Sequence, residues 1–148
     1  MSSLLYHLHP PTMVESVAAP IDARPVEGIR ENLTSRRLPG FDAPSSGHSL
    51  AARTPLLFNS DCTISVSRPT EPDPEDRFYK NADSDEVVFI HDGEGVLETL
   101  FGPLAYKPGD YLVIPRGVIH RWSPTSGVDQ RWLVVESAHP VLTPKRYR

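Results

Sequence analysis

The sequence contains a single cysteine, Cys62, in 148 residues. No internal disulfide can form, and a zinc site built from several thiolates is excluded. That usage fits a reducing compartment, so the cytoplasm is the expected location. No run of about 18 apolar residues occurs, so nothing is expected to span a membrane as a helix. The opening MSSLLYHLHPPT lacks the charged start, apolar stretch and small-residue cleavage site of a secretory signal. An excess of basic charge is missing too: 15 Lys and Arg stand against 19 Asp and Glu, for a net charge of −4. Neither nucleic acid nor an anionic membrane is therefore an expected partner. Helical periodicity of useful length is absent, and so is any internal repeat.

Turn residues, by contrast, are plentiful. Sixteen prolines and nine glycines predict many turns and few long helices. The length suits one domain. Residues 1–54 read as an extended N-terminal arm of scattered prolines, charges and small polar residues. Leu4, Leu5, Tyr6 and Leu8 form one candidate edge strand, stopped by Pro10-Pro11, and a turn of helix is expected around Val26 to Asn32. From Pro55 onward short apolar runs recur between turns: Leu56 to Phe58, Thr63 to Ser67, Arg77 to Lys80, Glu86 to His91, Gly95 to Phe101, Tyr111 to Ile114, Ile119 to Trp122 and Arg131 to Glu136. The Asp92-Gly93-Glu94-Gly95 stretch is a hairpin signal, because glycine takes positive φ at little steric cost. About eight strands at this spacing predict an all-β chain, a closed barrel or jelly roll over residues 55–139. Residues 140–148, with Lys145, Arg146 and Arg148, read as a surface linker.

One segment carries more. Gly109 to His120 fits the spacing G-x5-P-x-G-x2-H. Gly109 and Asp110 turn the chain into the strand Tyr111 to Ile114. Pro115 ends that strand, since proline cannot donate to a ladder. Gly117 permits the tight return. His120 then falls on the next strand. This spacing resembles the second motif of the cupin superfamily, whose barrels point that histidine inward.

The first cupin motif, H-x-H-x3,4-E, should lie upstream. Glu86, the strand Val87 to His91 and the Gly93–Gly95 hairpin supply its second half. Counting back from Glu86 puts the two histidine places at Tyr79 and Asn81, or at Lys80 and Ala82. None is histidine. The iron or manganese site of such barrels needs two histidines and a carboxylate here, plus the second motif's histidine. Only Glu86 and His120 remain, and two ligands leave a divalent ion mostly hydrated and weakly held. No metal ligands and no catalytic residues are therefore assigned. Tyr79, Asn81, Glu86 and His120 are the candidates to line a pocket.

The stretch Phe78-Tyr79-Lys80-Asn81-Ala82-Asp83, the run Val96 to Thr99, Phe101-Gly102 and Gly109-Asp110-Tyr111 are more particular. They resemble the N-terminal, cupin-like domain of the homogentisate 1,2-dioxygenase family, in its bacterial branch. Ser2 to Thr12 and Pro144 to Tyr147 resemble that family as well. The resemblance implies an Fe(II)-dependent oxidoreductase of tyrosine and phenylalanine catabolism that opens an aromatic ring with O2. It also implies that the ferrous ion belongs to a C-terminal second domain, absent from this chain. On this reading the barrel is a scaffold without a cofactor of its own, and it packs on the catalytic domain or on neighbouring subunits of a homo-oligomer.

Other features receive plainer readings. His7-Leu8-His9 has the spacing of a metal pair, but no carboxylate follows at the required distance, so it reads as a polar edge. Asp83, Asp85, Glu86, Asp92 and Glu94 read as a solvated rim. Trp122 and Trp132 read as core or interface residues, and Cys62 as a small buried strand residue. Two other function classes stay open: an autonomous one-domain cupin that binds or isomerises a small molecule, and a pure assembly module.

Overall fold

β-Branched and aromatic runs broken by glycine and proline fold here into strands. The computed structural model describes residues 6–8, 11–26, 28, 34–35 and 37–147. Eight strands follow in order: β1 (Arg53–Phe58), β2 (Cys62–Ser67), β3 (Asp85–Asp92), β4 (Gly95–Thr99), β5 (Gly102–Tyr106), β6 (Tyr111–Ile114), β7 (His120–Pro124) and β8 (Arg131–Ser137). They pair antiparallel into two sheets, ordered β1-β2-β8-β3-β6 and β5-β4-β7. This is the expected all-β jelly roll with an N-terminal arm.

The core lies between the sheets. Val88, Ile90, Leu112, Ile114, Trp132 and Val134 from the larger sheet meet Leu97, Tyr106 and Trp122 from the smaller. Trp122 and Trp132 lie 4.5 Å apart between ring centres, and Tyr106 sits edge-on to both. Both tryptophans are thus core residues. Gln130 closes this end by accepting from the Trp132 indole at 3.2 Å and donating to the Glu94 carbonyl. Gly95 is required where β4 enters the sandwich, since a Cβ there would sit 2.5 Å from the Ser123 carbonyl oxygen.

The arm contains short 3-10 turns at Pro11–Met13 and Gly40–Asp42. Phe41 rests edge-on against His91, under the Arg131 guanidinium. Asp73 ties Ser49 to β7: its carboxylate accepts from the Ser49 amide and hydroxyl and from the Trp122 amide. Of the expected edge strand, Leu4 and Leu5 lie outside the described residues, while Tyr6 to Leu8 form no strand. Leu8 still donates its amide to the Leu100 carbonyl. The expected helical turn falls largely on residues 27 and 29–32, also outside the described residues; Val26 and Gly28 are not helical.

Two strand expectations are corrected. Arg77 to Lys80 is not a strand: only Tyr79 pairs, exchanging both backbone hydrogen bonds with His120. The Arg77 amide is used in a turn, donating to the Pro74 carbonyl, and Tyr79 alone bridges to a strand. Conversely, Gly102–Tyr106 is a strand that no expected run contains, and it includes Pro103. It lies at the edge of the three-stranded sheet, where a missing N–H costs little. The first strand also starts at Arg53 rather than within Leu56 to Phe58. No helix among the described residues is long and apolar enough to cross a membrane, which says nothing of strands.

Candidate functional site

Strand alternation decides which side chains enter the barrel. On β3 the even positions Glu86, Val88 and Ile90 are buried, and the odd ones lie on the outer face. Glu86 is placed directly opposite Glu136 on β8. Two carboxylates as cross-strand partners repel, so the pair requires a cation or a proton.

Arg53, the first residue of β1, supplies the cation. Its guanidinium donates to Glu86 Oε1 at 3.2 Å and Oε2 at 2.9 Å, and to Glu136 Oε1 at 3.1 Å. The Arg53 and Glu86 side chains are 9% and 0% exposed, whereas Glu136 retains 23%. Asn81 completes the network. Its amide nitrogen donates to Glu86 Oε1 and Glu136 Oε1, both at 2.9 Å. Its oxygen accepts from the Asp83 and Ser84 amides at 3.0 Å, which fixes the orientation of the amide group.

Burial pushes the Glu86 carboxyl up, but the Arg53 charge and the donors from Arg53 and Asn81 outweigh it, so the pKa falls below the usual range. Glu136 goes the other way. Its desolvation, with the Glu86 charge added, outweighs Arg53 and raises its pKa. Tyr79 is pushed up to about 12, by burial and then by the Glu86 charge.

His120 is fully buried at the start of β7. Its Nδ1 lies 3.0 Å from the Val118 carbonyl oxygen, which can only accept, so the proton sits on Nδ1. Burial holds its pKa below the ordinary value, and the ring is neutral. Nε2 then carries a bare lone pair, with no hydrogen-bond partner among the described residues. The Tyr79 ring stands edge-on to it at 5.4 Å.

The structure therefore brings Asn81 and Glu86 into one network and sets Tyr79 against His120. Sequence reasoning missed Arg53 and Glu136. Arg53 was read as part of the arm, and Glu136 as the last residue of a strand. The signal available was the even spacing of Trp132, Val134 and Glu136, which puts that carboxylate on the inward face. The acidic rim splits accordingly. Glu86 turns inward, Asp83 and Glu94 are exposed, and Asp85 caps the Arg116 and Val141 amides. Cys62 is half-buried on β2.

These residues do not fit a divalent ion. Both Glu86 oxygens already accept from Arg53, and the Asn81 oxygen is turned away toward backbone amides. Among the described residues no group of three His, Cys, Asp or Glu side chains is placed to hold a metal.

A candidate dioxygenase of Saccharolobus solfataricus is 34% identical to the chain over 146 residues, 99% of this chain and 37% of that protein. The chain thus spans little more than a third of that relative's length. Among solved structures, a candidate mannose-6-phosphate isomerase of Ralstonia eutropha JMP134 superposes with a TM-score of 0.53 at 27% identity, over 57% of this chain and 82% of that one. A cupin protein of Bacteroides fragilis superposes at 0.55 and 15% identity, over 78% and 92%, which bears on the fold alone. Residues 70–136 match the Cupin domain family, and the jelly-roll topology agrees with that match.

Proposed function

We propose that the chain is a non-catalytic scaffold domain of a ring-cleaving dioxygenase of the homogentisate 1,2-dioxygenase type. The observation that carries this reading is the Arg53 guanidinium between Glu86 and Glu136, where a catalytic barrel would need open ligand positions. The similarity to a candidate dioxygenase along nearly the whole chain supports it. So does the outer face of the larger sheet. Leu57, Ile64, Val135, Val87 and Val113 form one apolar row across five strands, and Val66, Leu133, Phe89 and Tyr111 a second across four. Tyr111 is 69% exposed and Val113 50%, which suits a face that packs on a second domain or on a neighbouring subunit. In such an enzyme Fe(II) would supply oxygen activation from the other domain, while this barrel positions that domain.

The purified chain should consume no oxygen above the free-iron rate when loaded anaerobically with Fe(II) and given homogentisate and air. Turnover with iron bound to the chain would overturn the reading.

A second reading is favoured by the bare Nε2 of His120. An autonomous cupin would use it to accept from a small hydroxylated ligand bound near Tyr79 and Asn81. The likeness to a candidate sugar-phosphate isomerase points the same way. A thermal-shift panel that includes hexose phosphates separates the two readings. A sub-micromolar ligand whose effect disappears in His120→Ala would favour the second.

A further inference from the structure

We propose that Arg53 is a built-in cation: its tethered guanidinium fills the position between Glu86, Asn81 and Glu136 that a divalent ion would need, and so closes this barrel to metals. Three observations converge. First, Glu86 is fully buried and both its oxygens accept from Arg53. A planar fork of N–H donors matches a carboxylate edge, and it uses the lone pairs that a metal would take. Second, the same guanidinium reaches Glu136, so one fixed charge bridges both carboxylates. Third, Asn81 presents its amide nitrogen to Glu86 and Glu136, and an amide nitrogen is a poor metal donor. Its oxygen, the atom a hard cation would prefer, is held by the Asp83 and Ser84 amides. The loop Asn81 to Ser84 is thus shaped to donate to the carboxylates, as a guanidinium does, and not to ligate an ion.

Removing the Arg53 side chain leaves two facing carboxylates, one fully buried, with no other Lys or Arg hydrogen-bonded to either among the described residues. Such a pair must take up a proton or an external cation. The loss of one side chain should therefore open a cation site.

The test uses the whole chain, with Mn2+ alone and methylguanidinium alone as probes. Arg53→Ala should bind one Mn2+ per chain, about tenfold or more tightly than wild type, by equilibrium dialysis and electron paramagnetic resonance. Either probe should raise its melting temperature. Adding Glu136→Gln should abolish both effects. If Arg53→Ala is unfolded alone, it should refold with Mn2+ or methylguanidinium, while the neutral double variant Arg53→Met with Glu86→Gln should fold without either. The proposal is overturned if Arg53→Ala melts like wild type and binds nothing, or if wild type binds Mn2+ through Glu86. It is equally overturned if the single variant stays unfolded with every cation, or if the double variant fails to fold. The proposal rests on the fold, not on the scaffold reading. A tight ligand in the thermal-shift panel would sink the scaffold reading and leave this one standing.

Discussion

The two faces of the five-stranded sheet invert the usual order of a protein. The inner face carries Arg53, Glu86 and Glu136 at one end, while the outer face carries two apolar rows in which Leu57, Tyr111, Val113 and Leu133 are exposed. Elsewhere the inner face is ordinary: Val88, Ile90, Trp132 and Val134 pack against Leu97 and Trp122. The difference shows that burial alone does not mark function in this fold. Arg53 is hydrogen-bonded to both carboxylates, while the outer apolar rows are left partly exposed.

The sharpest way to break the comparison is at the apolar end. Trp122→Ala should cost about 3–5 kcal/mol in denaturant unfolding, because it empties the centre of the aromatic cluster. Next comes the charged end. Arg53→Met should cost about 3 kcal/mol by the same measurement, and adding Glu86→Gln should recover part of that loss, since the penalty comes from a buried charge left unpaired. A failure to recover would mean that Arg53 acts through packing and not through charge.

Acid should distinguish the groups further. The His120 pKa is lowered in the fold, so between that value and 6.5 the unfolded chain binds more protons and stability drops as the pH is lowered. Glu86, also lowered, adds a second loss as pH drops below 4.5 toward its folded value. Glu136 is raised, so it opposes them: its contribution grows as pH falls through its folded value. Urea midpoints from pH 8 to pH 4 should therefore decline first below about 6.5, and His120→Gln should flatten that first step. An unchanged first step would assign it to another group.

The smallest effect belongs to the outer face. Val113→Lys should change the unfolding free energy by no more than about 0.5 kcal/mol, because the position is half in water already. If the outer rows pack on a second domain or on a neighbouring subunit, the same substitution should still weaken that association, measured by analytical ultracentrifugation. A large loss of folding stability would mean that the outer face is part of the core.

Much of the fold was legible because its signals are local. Hairpin glycines, strand-ending Pro115 and the Gly109-to-His120 spacing act over a few residues. The failures were local signals overruled by position. No expected run covers Gly102–Tyr106, which contains Pro103 and is an edge strand, and Arg77 to Lys80 is expected as a strand although only Tyr79 finds a partner. At the site, the absence of the two motif histidines could be counted from Glu86. What replaced them could not.

The sequence by itself determined an all-β cupin-type barrel, an inward His120 and the lack of a histidine pair ahead of Glu86, while it left Glu86 between pocket and rim. Only the tertiary structure decided that Arg53 and Glu136 close the network. Their partners stand 33 and 50 positions away from them, on strands brought together by sheet register, and no spacing rule over a few residues spans such a distance. Periodicity sets the face a strand residue occupies, but which charges meet across that face depends on how the sheets close.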